Sequence, residues 1–223
     1  MIIFDKNKIM EKVDSISLLA AYTDYVMLNN KQPSSVYSFC KDLEIEENEF
    51  YKYYSSFDAI EESVFPKIFE DSIALLKDSD EYEGYDKKTK MLSFYFTYFE
   101  NLTANRSLVM YVLRGGKVDL KQMLKLKKLR TLFQLFVKSL DIQVIDIPKE
   151  NVQKIQDKAI EELAWGQFLL TLKFWMEDVS PSFEKTDVFI EKSVHASFDL
   201  INLAPFKNII DFGKFFWKEK MKM

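Results

Sequence analysis

Few residues in this chain have the type and spacing to do chemistry, and those few narrow the functional classes. His195 is the only histidine among 223 residues, so zinc sites and catalytic triads that need two imidazoles are excluded, and a single histidine on an amphipathic helix reads as a packing or surface residue. Cys40 is the only cysteine. No internal disulfide can form, which suits a reducing cytoplasm, and its position among core-facing residues reads as a buried structural thiol. Glu161 and Glu162 are adjacent, a spacing common on solvated helix faces, whereas acid–base catalysis needs carboxylates that converge in space. Gly115-Gly116 lacks the lysine and hydroxyl that complete a phosphate loop. The chain therefore reads as a protein that is not an enzyme and holds no metal or cofactor.

The elements that carry these residues are helical by composition. There are 20 Phe, 11 Tyr and 3 Trp but only five Gly and five Pro, which means few turns and long helices packed around one or more sizeable interior spaces. The net charge of −4 gives no global attraction for nucleic acid. No run of about eighteen apolar residues is present. One stretch organises the rest, Ser34 to Phe57. Val36, Phe39, Cys40 and Leu43 repeat at three- and four-residue spacing, Ile45 sits in a break, and Phe50, Tyr53 and Tyr54 resume the apolar face. That is the layout of a helix-turn-helix.

The order of residue types within this stretch resembles the N-terminal domain of tetracycline-repressor (TetR) family regulators. Ser35-Val36, Phe39-Cys40-Lys41-Asp42-Leu43, Ile45, then Phe50-Tyr51-Lys52-Tyr53-Tyr54 and Ser56 follow the family pattern without a gap. The resemblance implies an all-α fold with a three-helix DNA-binding domain over residues 1–56 and a larger helical ligand-binding and dimerisation domain over 57–223. It also implies that Ser35, Lys52 and Ser56 touch phosphates while Tyr37, Glu47, Asn48, Glu49 and Tyr51 face the groove of a DNA operator. An effector pocket is implied at Phe94, Tyr98, Tyr111, Trp165, Phe168, Leu172 and Trp175, whose character suits a large apolar small molecule or lipid. Departures from the family pattern are local. Glu44 stands at the usual turn glycine and Glu46 at the usual capping serine, and from Pro33 to Ile60 two basic residues face six acidic ones. DNA affinity rests largely on neutralising phosphates, so this acidic surface also fits a TetR-fold lipid binder that has lost DNA binding.

The remaining elements follow from periodicity. A first helix is expected from Asp5 to Asn30, with Ile9, Val13, Ile16 and Ala20 on one face, and Lys6, Lys8 and Lys12 form a basic start. Asn30 tolerates the left-handed conformation that ends a helix. Ser56 caps a helix from Phe57 to about Lys77, which Pro66 should kink or interrupt. An acidic loop over 78–87 precedes helices at 89–102 and 106–114, and Asp119 caps a further one. Eight basic residues against one acid lie between Arg114 and Lys138, the most basic segment of the chain. A long helix from about Lys149 to Asp178 and another from Thr186, separated by Ser180-Pro181-Ser182, resemble the pair that builds the TetR homodimer. Finally, Phe206, Ile209, Ile210, Phe216 and Trp217 share an arc opposite Lys207, Lys214 and Lys218. That arc fits either a core-closing helix or contact of 205–223 with a membrane surface.

Overall fold

The computed structural model describes residues 13–113, 124–142 and 150–202, the side chains of 150–156 and 201–202 excepted. Among the described residues there are nine α-helices and no strand. The basic start at Lys6, Lys8 and Lys12, the glycine pair, the Asp119 cap and the amphipathic stretch over 205–223 lie outside them.

Helix α1 (Ser15–Asn29) starts later than its periodicity suggests. Asp14 accepts from the Ser17 amide at 2.8 Å while Ser17 Oγ accepts from the Asp14 amide at 2.9 Å. This reciprocal cap satisfies two otherwise orphaned donors and sets the boundary there. Val13 thus precedes the helix, and Ile16 is exposed rather than inward. Asn30 ends α1 at φ 50°, as its tolerance of the left-handed region predicts. Helices α2 (Val36–Asp42) and α3 (Glu47–Tyr51) form the helix-turn-helix. Helix α4 (Phe57–Lys77) begins where Ser56 Oγ accepts from the Ala59 amide, and it runs unbroken through Pro66. The buried side chains of Phe65, Ile68 and Phe69 on either side hold the helix across the one bond that proline removes. Then follow α5 (Lys87–Ala104), α6 (Arg106–Val112), α7 (Lys127–Ser139), α8 (Glu150–Glu177) and α9 (Glu184–Asn202).

These helices form two compact units, and the division runs through α4 and α5. The first comprises Met1–Ser72 with Tyr98–Leu129, the second Ile73–Thr97 with Arg130–Met223. In the first, α1 packs on α6, and Phe39 sits at the centre of a ring cluster. Its centroid lies 6.3 Å from Tyr22, 6.2 Å from Phe50 and 5.6 Å from Phe57, all edge-on, the arrangement that aromatic quadrupoles favour. In the second, Phe94, Tyr95, Phe133, Phe136, Trp165 and Phe168 form one core of rings, with Phe133 4.9 Å from Phe168. Helices α8 and α9 pack along each other. Their connector is organised by Asp178, which is buried and accepts from the amides and hydroxyls of both Ser180 and Thr186 at 2.7–2.9 Å.

Candidate functional site

The turn between α2 and α3 has to reverse the chain within four residues, and Glu44 does so at φ 58°. This is the left-handed region that a glycine enters without cost and an L-residue with a side chain does not. The turn is closed by the Ile45 amide donating to the Cys40 carbonyl at 3.0 Å. Helix α3 then begins at Glu46, whose side chain makes no capping bond, so the orphan amides of its first turn lack the acceptor that a serine or aspartate would offer. Below the turn, Cys40 and Phe50 are buried, and burial pushes the Cys40 thiol above its ordinary range, which marks it as packing material rather than a nucleophile.

The residues expected to meet DNA fall into two groups. Tyr37, Asn48, Tyr51 and Lys52 are exposed, Tyr37 at 61% and Tyr51 at 53%. Glu47, Glu49 and Ser56 are half-buried. Ser35 and Ser56 are committed locally. The Ser35 hydroxyl accepts from the Ser38 amide at 3.0 Å, and Ser56 caps α4. Lys52 is paired with Glu49 one turn earlier, so the cation nearest the tip of α3 is partly neutralised within the helix. Two tyrosines of the same block have structural work: the Tyr53 and Tyr54 hydroxyls donate to the carbonyls of Val13 and Ser15, tying the end of the motif to the start of α1.

The expected effector residues divide between the two units. Tyr98 and Tyr111 belong to the first, and Phe94, Trp165, Phe168, Leu172 and Trp175 to the second. Tyr98 is fully buried, and Tyr111 borders a groove of about 840 Å³ with Met27, Met110 and Gln32. Within the second unit, Trp165 stacks on Phe168 at 5.3 Å and 9°. Phe94, Leu172 and Trp175 are buried in the same unit.

Periodicity alone missed the group beneath the groove in the first unit. Glu61 on α4 is buried and takes an ion pair from the equally buried Lys125. Its other oxygen accepts from Tyr22 at 2.7 Å and Gln32 at 2.9 Å. Burial, and then the Glu61 carboxylate, hold the Tyr22 phenol protonated far above its ordinary range. Lys125 is therefore not part of a basic surface. The signal was present in the spacing Phe57, Glu61, Val64 and Ile68, which places Glu61 on the inward stripe of α4.

No group of three metal-ligating side chains occurs among the described residues, and none of their helices is long and apolar enough to cross a membrane. Residues 90–216, more than half of the chain, match the family model described as Tetracyclin repressor-like, C-terminal domain. No curated protein and no solved structure matches the chain.

Proposed function

Since the chain belongs to the tetracycline-repressor-like family of regulators, which are not enzymes, we propose that it is a cytoplasmic, dimeric transcriptional regulator that binds DNA through α2 and α3 and an apolar effector in its second unit. The observation that carries this reading is the combination of a family match beginning at residue 90 with an independent helix-turn-helix at 36–51. The exposed Tyr37, Asn48 and Tyr51 supply groove-facing donors and acceptors. Ser35, Lys52 and Ser56 stand at the motif's edges, where phosphates would pass, and Glu47 and Glu49 accompany Asn48 on α3.

Dimerisation is supported by α8 and α9. Leu163, Leu170 and Phe174 share one stripe of α8 with Ala159 and Gly166; Leu163, Leu170, Ala159 and Gly166 are exposed. Phe174 stacks on Phe189 of α9 at 4.6 Å, beside the exposed Val188. A Cβ added at Gly166 would meet nothing within 4 Å. Among the described residues no contact thus requires this mid-helix glycine, which suits close approach of a second copy. The effector would be received by the second unit, whose Phe94, Trp165, Phe168, Leu172 and Trp175 make its interior apolar.

The test is selection of duplexes from a random-sequence library by the purified protein. The expected result is an enriched motif of two inverted half-sites about 10 base pairs or a multiple apart, lost in Tyr51→Ala. Failure to enrich any motif would reject the regulator reading.

The acidic balance of 33–60 favours one second reading, a TetR-fold lipid binder in which the helix-turn-helix is scaffold and 205–223 meets a membrane. Replacing Phe216 and Trp217 by Ser would then abolish sedimentation with phosphatidylglycerol vesicles, and unchanged sedimentation would remove that reading.

A further inference from the structure

Lys88, on the first turn of α5, is half-buried, and its Nζ lies 3.4 Å from Nδ1 of His195 on α9. An ammonium can only donate, so in this contact Nδ1 is placed as the acceptor. The lysines on either side have acids: Lys87 pairs with Asp141 at 3.6 Å and Lys90 with Glu83 at 3.7 Å. Asp86 is committed to the end of α5, accepting from the Thr89 amide at 2.7 Å. The Thr89 donors, and then the charge of Lys88, hold its carboxyl below the usual range. Among the described residues no carboxylate comes within ion-pair distance of Lys88. A half-buried ammonium that faces an imidazole, with Asp86 felt only at longer range, presents positive charge to this face of the second unit.

What lies in front of that charge is a mixed hollow that leads to an apolar one. Lys88 borders a hollow of about 740 Å³ whose apolar wall is Leu140, Ile142 and Phe198 and whose polar rim carries Lys87, Lys90 and the acids Asp86 and Asp199. Ile142 and Phe198 also line a second hollow of about 180 Å³, nearly all apolar, bounded by Met91, Ile160 and Ala164. The inner hollow is below the size of a pocket that takes a whole small ligand, roughly 300–1,000 Å³, but it can take a tail. The two hollows share Ile142 and Phe198, so one end offers an ammonium and the other is nearly all apolar.

We propose that this groove binds an anionic amphiphile, a carboxylate-headed alkyl chain, with the head on Lys88 beside His195 and the tail passing Phe198 into the hollow under Ala164. The proposal rests on the effector reading above and narrows it to a ligand class and a place. Ala164 and Gln167 on α8 line the inner hollow and alternate in sequence with the buried Trp165 and Phe168, so a tail there would bear on the helix that also carries the dimer stripe.

Monomeric dodecanoate and dodecanol, which differ in the head alone, would be titrated calorimetrically into the full chain, with the duplex selected above present in a parallel series. Dodecanoate should bind about tenfold more tightly than dodecanol. Lys88→Met should remove that preference while leaving dodecanol binding and the melting temperature unchanged, and Ala164→Trp should weaken both. Equal binding of the two probes, binding of neither, or a preference that survives Lys88→Met would each overturn the site. The effector reading fails separately, if neither these probes nor other apolar compounds alter affinity for the duplex.

Discussion

Lys125 and Glu61, 64 positions apart in the chain, form an ion pair that is almost completely withdrawn from water, at 4% and 2% side-chain exposure. The carboxylate is held further by Tyr22 and Gln32, and Lys125 also donates to the Val112 carbonyl at 3.4 Å. Four segments of the first unit therefore converge on one negative charge. Such a pair need not add net stability, but breaking it leaves an uncompensated buried ion. Lys125→Met should cost about 3–5 kcal/mol in urea unfolding. The double change Glu61→Gln, Lys125→Met should recover most of that loss. A single variant as stable as the parent would show that the pair is not buried in solution.

Two departures in the helix-turn-helix make opposite-looking sequence choices correctable. Glu44 occupies a left-handed conformation, so Glu44→Gly should stabilise the protein by about 1 kcal/mol. Glu46 makes no capping bond, and Glu46→Ser should add about 1 kcal/mol more. Both also remove negative charge from the motif, so any DNA affinity should rise at low salt. The checks are thermal melts of the two single variants; a loss of stability in Glu44→Gly would contradict the turn geometry.

Asp178 ties the α8–α9 connector to pH. Burial pushes its carboxyl up, but the donors of Ser180 and Thr186 outweigh that and hold it at about 2. In the unfolded chain a carboxyl of this type titrates near 4. The folded state thus binds this proton less readily, so its contribution is complete above about pH 4 and is lost as the pH falls toward 2. Asp178→Asn should cost on the order of 2 kcal/mol at pH 6, and the gap between variant and parent should close between pH 4 and 2. A gap independent of pH would assign the loss to packing alone.

Most of the fold was legible because helical periodicity depends on which residues must leave water. Phe39, Phe50 and Phe57, or Leu129, Phe133 and Phe136, announce their helices by spacing and are buried as expected. Asn30 and Ser56 announced helix ends because their side chains favour those conformations. What spacing could not give was pairing across the chain. Nothing near Lys125 in sequence distinguishes it from the solvated lysines at 127 and 128, since its burial depends on Glu61. The start of α1 was likewise hidden, because an apolar face extrapolates past a cap that only the Asp14–Ser17 exchange defines. For the site, the exposed Tyr51 and Asn48 were readable from the motif. That Lys52 is engaged by Glu49, and that Lys88 faces His195, required the folded backbone.

The exposed stripe of α8 gives a prediction of oligomeric state. Leu170 is 62% exposed on that stripe, one turn beyond Gly166. Leu170→Glu should convert the protein to a monomer in light scattering without lowering its helical content, because a buried unpaired charge opposes association. Gly166→Ala should weaken the dimer while adding about 1 kcal/mol to the helix itself. A parent protein that is already monomeric at micromolar concentration would contradict the assignment of this face.

The most direct test of the regulator reading is the salt dependence of binding to DNA, which needs no known operator. Fluorescence anisotropy of a labelled mixed-sequence duplex would be followed against the purified protein from low salt upward. The regulator reading predicts association at low salt that weakens linearly on a log–log plot against salt, as phosphates are neutralised by the protein. No association even at the lowest salt would contradict it and leave the helix-turn-helix as scaffold.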